Sequence, residues 1–116
     1  MKTTPAATPA PRPSPRPLKA DAAVSALAAL AHEHRLAVYR LLVARGRAGL
    51  TVGAIAGELG LANATLSFHL KALVDAGLVV TRQEGRFIHC TADFARMNAL
   101  VGFLTENCCG GESCRD

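Results

Sequence analysis

Between Thr51 and Ala76 the chain runs through two short amphipathic patterns, TVGAIAGELG and LANATLSFHLKALVDA, separated by Gly60-Leu61. Small and apolar residues in the first allow close packing. The second repeats Leu66, Leu70 and Leu73 at helical spacing, with Thr65, Ser67, His69 and Lys71 directed mostly elsewhere. This predicts a helix-turn-helix. Its second helix offers hydroxyl, imidazole and ammonium groups along an exposed face, the types that reach base edges and phosphates in a major groove. An ordinary helical hairpin with a solvated polar face would carry the same pattern, so the decision falls to the next segment.

That segment is LVVTRQEGRFIHCT, following Ala76-Gly77, a glycine-marked helix stop. The runs Leu78 to Gln83 and Arg86 to Thr91 are rich in β-branched and aromatic residues, and Glu84-Gly85 between them forms a hairpin-type turn. A hairpin directly after a helix-turn-helix reads as a wing. Arg82 and Arg86 flank its tip, where they would meet phosphates or a minor groove.

Flanking this unit are three more helical patterns. Asp21 to Leu30 begins with an acidic residue suited to a helix start and continues in small residues that permit close helix approach. Glu33 to Arg45 carries an apolar stripe of Leu36, Tyr39, Leu42 and Val43; His32 and His34 read as helix-start residues, because a H-E-x-x-H metal spacing would need histidine at position 36, which is leucine. Arg45 to Gly49 reads as a flexible loop. Asp93 to Asn107 repeats Phe94, Met97, Leu100, Val101 and Leu104, and so wide an apolar face on a terminal helix calls for a second subunit to cover it.

Length and charge refine this picture. A chain of 116 residues, half of them hydrophobic, makes one domain with a modest core. The formal charge of +4 comes from Lys2, Arg12, Arg16 and Lys19; the remaining nine basic residues match the nine acidic ones. The case for DNA therefore rests on where charges sit. Residues 1–19 hold all six prolines and read as a disordered, basic, partly polyproline-like arm. This arm lacks the apolar segment of a secretory signal, and no stretch elsewhere could span a membrane uninterrupted by charge.

Cysteine placement supplies the remaining chemistry. His89 and Cys90 are strand neighbours on opposite faces, which excludes a convergent catalytic pair, and Cys90 reads as a small buried hydrophobe. Cys108, Cys109 and Cys114 are concentrated in seven residues around Gly110-Gly111, so three thiolates can converge. Three sulfurs without an imidazole suit trivalent arsenic or antimony, whereas zinc usually takes a fourth ligand. Two other readings stay open: an inert tail, and a disulfide-forming redox sensor.

The segments ALAALAHEHRLAVYRLL, VGAIAGELGLANATLSFHLKALVDAGLV and EGRFIHC resemble the ArsR/SmtB family of small bacterial metal- and metalloid-responsive repressors, over roughly residues 21 to 109. The resemblance implies a mainly α fold with a small β-hairpin, a winged helix-turn-helix that dimerises through its first and last helices. It implies residues 20–107 as the DNA-binding and dimerisation domain and 108–116 as a metalloid-binding tail. DNA contacts would come from Asn63, Thr65, Ser67, Phe68, His69, Lys71, Arg82 and Arg86. Two departures stand in the recognition helix: Ala62 replaces a frequent N-capping Ser, leaving Asn63 to satisfy the free amides, and Phe68 replaces a common second His.

Other departures point to the inducer. Thr51 and Gly53 stand where many arsenic-responsive members carry a C-x-C pair, and the last helix lacks the histidines of the family's zinc-type site. The tail then resembles the subgroup with an arsenic-binding triad near the C-terminus. The implied activity is a cytoplasmic, non-enzymatic homodimer on double-stranded operator DNA. It needs no cofactor to bind DNA, represses an arsenic-resistance operon, and is released by As(III) or Sb(III) on Cys108, Cys109 and Cys114. A redox or soft-metal (Cd/Zn) sensing repressor, and a metal carrier or thiol enzyme, are the alternatives.

Overall fold

Small residues dictate how the first helix packs. In the computed structural model, which describes residues 18–107 and Gly110, helix α1 (Ala20–Leu30) turns Ala23, Ala26 and Ala29 into the core. Its larger apolar side chains face the other way, with Val24 65% and Leu27 42% exposed. Leu18 and Lys19, read above as part of the arm, belong to the domain. Leu18 packs against the core, and the Lys19 carbonyl accepts from Ala23 N at 2.9 Å to open the helix.

Helix α2 (Glu33–Arg45) is capped by His32, whose Nδ1 accepts from the backbone N of His34 at 3.1 Å. It buries Val38, Tyr39 and Leu42. The expected stripe is thus rotated. Leu36 and Val43 stay more than 40% exposed, and Val38 takes an inner position because α2 packs against α1, α3, α4 and the sheet at once.

The segment expected as a flexible loop is ordered. A 3-10 turn at Gly46–Ala48 leads through Gly49 into strand β1 (Leu50–Thr51), which pairs antiparallel with β3 in the register Leu50↔Cys90 and Thr51↔His89. Gly49 has φ +64, and a Cβ there would collide with the Cys90 carbonyl oxygen and the Thr91 methyl. Only glycine lets the two backbones come this close.

Helix α3 (Val52–Leu59) is capped by Thr51 Oγ1, which accepts from Ala54 N at 3.1 Å, and ends at Gly60 in the left-handed region. Helix α4 (Asn63–Asp75) follows after the short turn, giving the expected helix-turn-helix. The hairpin joins β2 (Val79–Glu84) to β3 (Phe87–Ala92), and the sheet order is β1-β3-β2. Glu84 pairs with Phe87, so the tip is Gly85-Arg86, one residue later than the sequence pattern indicated. Gly85 at φ +61 supplies the first turn position.

Helix α5 (Phe94–Thr105) is capped by Asp93, whose carboxylate accepts from Arg96 N at 3.0 Å. It buries Leu100 alone and leaves Phe94, Val101 and Leu104 exposed at 36%, 50% and 56%. The core is built from Val38, Leu42, Ile55, Leu66, Leu73, Leu78 and Cys90, all fully buried, drawn from α2, α3, α4, the turn before β2, and β3. The fold is mainly helical with a small antiparallel sheet: a winged helix-turn-helix whose sheet has a third, short strand. No described helix is long and apolar enough to cross a membrane.

Candidate nucleic-acid interface

Helix α4 separates its residues by period. Leu66, His69, Leu70 and Leu73 face inward at the i, i+3, i+4, i+7 spacing of a buried stripe. Asn63, Ala64, Thr65, Ser67, Phe68 and Lys71 are exposed. Within that set, Ala64, Ser67, Phe68 and Lys71 form the strip opposite the core. Ala62 occupies the N-cap position without a side-chain hydrogen bond, and Asn63 is the first helical residue, so no side chain takes over the capping assigned above to Asn63.

His69 is corrected. It was expected on the exposed face, but it is 5% exposed, and Arg35 donates from Nε to its Nδ1 at 3.2 Å. Around it gather the rings of His32 at 4.6 Å, His34 at 5.5 Å and Phe68 at 5.4 Å between centroids. Burial, then the neighbouring His32, Arg35 and His34, hold the His69 pKa below the usual histidine value. This neutral imidazole locks the start of α2 to the inner edge of α4. Among the described residues, no group of three or more His, Cys, Asp or Glu side chains is placed to hold a metal ion.

Arg35 is the residue that sequence reasoning missed. It bonds His69 and also lies over the Phe68 ring, 5.7 Å from its centroid. Nothing in the local sequence separates it from the other arginines of α2, since its role depends on a contact 34 positions away. The burial of His69, by contrast, was legible, because it stands three residues after Leu66 and four before Leu73.

The charged residues differ in how free they are. Lys71 pairs with Asp75 one turn on, at 3.1 Å, with both side chains well exposed. Arg82 pairs with Glu84 at 2.7 Å, and Glu84 also approaches His89 Nε2 at 3.2 Å. Arg86 at the tip is exposed and makes no ion pair among the described residues. Exposed pairs of this kind are weak, about 0 to 1 kcal/mol, so a phosphate can compete for Lys71 and Arg82. Arg86 needs no such exchange.

Cys90 is fully buried, and burial pushes its thiol pKa up, which makes it a core residue rather than a reactive one. Cys108, Cys109 and Cys114, the expected metalloid ligands, lie outside the described residues, as do residues 1–17 of the arm.

Comparison with known proteins agrees with this geometry. A helix-turn-helix domain family model matches residues 30–82. Over 58 residues the chain is 38% identical to the uncharacterized HTH-type transcriptional regulator YceK of Bacillus subtilis, a match covering 50% of this chain and 57% of that protein. An ArsR-like transcriptional regulator from Rhodococcus sp. RHA1 superposes with a TM-score of 0.65 at 31% identity, over 72% of this chain and 76% of that one. The homodimeric winged helix-turn-helix DNA-binding domain of a Mycobacterium bovis protein superposes with a TM-score of 0.60 at 32% identity, over 83% of this chain and 89% of that one.

Proposed function

This chain belongs to the ArsR/SmtB family of winged helix-turn-helix transcriptional regulators, and from that premise we propose that it is a homodimeric repressor of an arsenic-resistance operon, released from its operator by trivalent arsenic or antimony. DNA binding is carried by one observation above all. Helix α4 presents Ser67, Phe68 and Lys71 on the face opposite its leucine stripe, and the wing holds an exposed Arg86 at its tip, without an ion pair among the described residues. Ser67 and Phe68 reach base edges, while Lys71, Arg82 and Arg86 neutralise phosphates. Thr65 and Asn63 flank this strip at the entrance to the helix. His69 acts from behind it, by fixing Arg35.

Dimerisation follows from the apolar surface left open on the outer helices. Val24 and Leu27 of α1 and Val101 and Leu104 of α5 are all more than 40% exposed, and the two helices touch. A second copy would cover them, and the superposed Mycobacterium bovis domain is itself homodimeric. It would also set two recognition helices about 34 Å apart, the spacing of successive major grooves.

Induction is assigned to Cys108, Cys109 and Cys114, which follow α5 directly. Three soft sulfurs suit a pyramidal metalloid. Binding beside the dimer-forming helix would favour a subunit arrangement with mismatched recognition helices, and a tenfold loss of DNA affinity requires only about 1.4 kcal/mol of coupling.

The full chain should be used to select duplexes from a random-core library, and the enriched sequence should be titrated against salt. The proposal expects a palindromic consensus and a steep fall of affinity with salt. Failure to enrich any sequence would overturn it.

A further inference from the structure

We propose that Phe68 reads the 5-methyl group of thymine in the major groove of the bound duplex; this rests on the DNA-binding function proposed above. Phe68 is 65% exposed, which leaves most of its ring free to meet a partner. It sits in the outward strip of α4, one turn after Ala64 and three residues before Lys71, where a recognition helix meets base edges.

Phe68 is also held in place. The His69 ring meets it edge-on at 5.4 Å, and the Arg35 guanidinium lies 5.7 Å from its centroid. His69 and Arg35 are bonded to each other, so the ring rests on a braced platform. A pre-positioned side chain loses little freedom on binding.

Its chemistry narrows the partner group. The ring carries no hydrogen-bond donor or acceptor, so it cannot discriminate by the polar pattern of a base edge. The thymine methyl is the apolar group that a base pair presents in the major groove, and an aromatic ring can cover it. Phe68 therefore adds a preference for thymine at one position of each half-site, and Ser67 supplies the polar part of the readout.

The test replaces thymidine by deoxyuridine, which deletes only the methyl group, at each position in turn of a duplex selected by the full-length protein. Binding is followed by fluorescence anisotropy for the wild type, Phe68→Ala and Phe68→Asn. The wild type should lose about fourfold in affinity at one position per half-site, the size expected for one buried methyl. Both variants should bind thymine and uracil duplexes equally while keeping the wild-type thermal midpoint, and either suffices. Wild-type indifference to every substitution, as expected if Phe68 instead docks a protein, would overturn the proposal. So would variants that keep the fourfold loss. If no duplex is selected at all, the DNA-binding function fails first, and this assignment fails with it.

Discussion

Arg35 donates its Nε–H to Nδ1 of His69 across 3.2 Å, which ties the first turn of α2 to the buried side of the recognition helix. The bond needs His69 with an unprotonated Nδ1. Because the folded-state pKa of His69 is lowered, the unfolded chain binds the proton more tightly. Stability contributed by this site is therefore complete above the unfolded value of about 6.5 and falls as pH drops from there through the lower folded value. Thermal unfolding between about pH 7.5 and 5 should show that acid loss, and His69→Gln should flatten it.

His69→Ala should act on stability rather than on base choice. It removes the acceptor of a partly buried charged hydrogen bond, a change of about 1.5 to 3 kcal/mol. Denaturant midpoints should fall, while the consensus selected from a random library stays the same outside the thymine position read by Phe68, whose ring leans on His69. A changed consensus with unchanged stability would return His69 to the reading face.

Ser67→Ala and Arg86→Ala should separate. Ser67 lies on the outward strip and should cost about 1 to 3 kcal/mol on the specific duplex with relaxed base preference. Arg86 at the wing tip should weaken specific and random duplexes alike and lower the salt slope by about one. Equal effects of the two substitutions on both kinds of DNA would defeat this division.

The dimer prediction turns on which α5 residue is changed. Leu100 is 2% exposed and supports the core, whereas Leu104 is 56% exposed. Leu104→Glu should leave the fold intact by circular dichroism yet shift sedimentation toward the monomer and weaken operator binding. Leu100→Glu should unfold the protein instead. A stable wild-type monomer at micromolar concentration would contradict the proposed assembly.

Gly49→Ala should be among the most damaging glycine substitutions, at about 2 kcal/mol or more, since it combines a positive φ with a collision against the β3 backbone. Gly46→Ala, at φ +65 and ψ −143 but in open space, keeps a backbone penalty of about 1 to 3 kcal/mol without the collision, and should cost less than Gly49→Ala. Denaturant melts of the two variants check this ordering.

Much of the architecture was legible in the chain because local periodicity wrote it. Helix α2 begins and ends where the pattern placed it, at Glu33 and Arg45, and Asp93 heads the last helix as an N-cap. What escaped was non-local. Strand β1 is two residues long and exists through its pairing with β3, and the rotation of the α2 stripe toward Val38 depends on packing against four elements at once. In the interface, exposure of Ser67, Phe68 and Lys71 followed from the leucine spacing. The same spacing contains His69: its polar imidazole suggests an outward position, while its register with Leu66 and Leu73 puts it inside. Arg35 required the tertiary contact.

Release by arsenite is the central claim, and anisotropy on a labelled, selected operator under reducing conditions tests it most directly. Arsenite should free the wild type from DNA. Ser at Cys108, Cys109 or Cys114 should leave apo binding intact and blunt release. Cys90→Ala, which avoids burying a hydroxyl in the fully buried Cys90 site, should respond as the wild type does. Release of all three tail variants at the wild-type arsenite concentration would contradict the account, and release by peroxide but not by arsenite would replace it with a redox sensor.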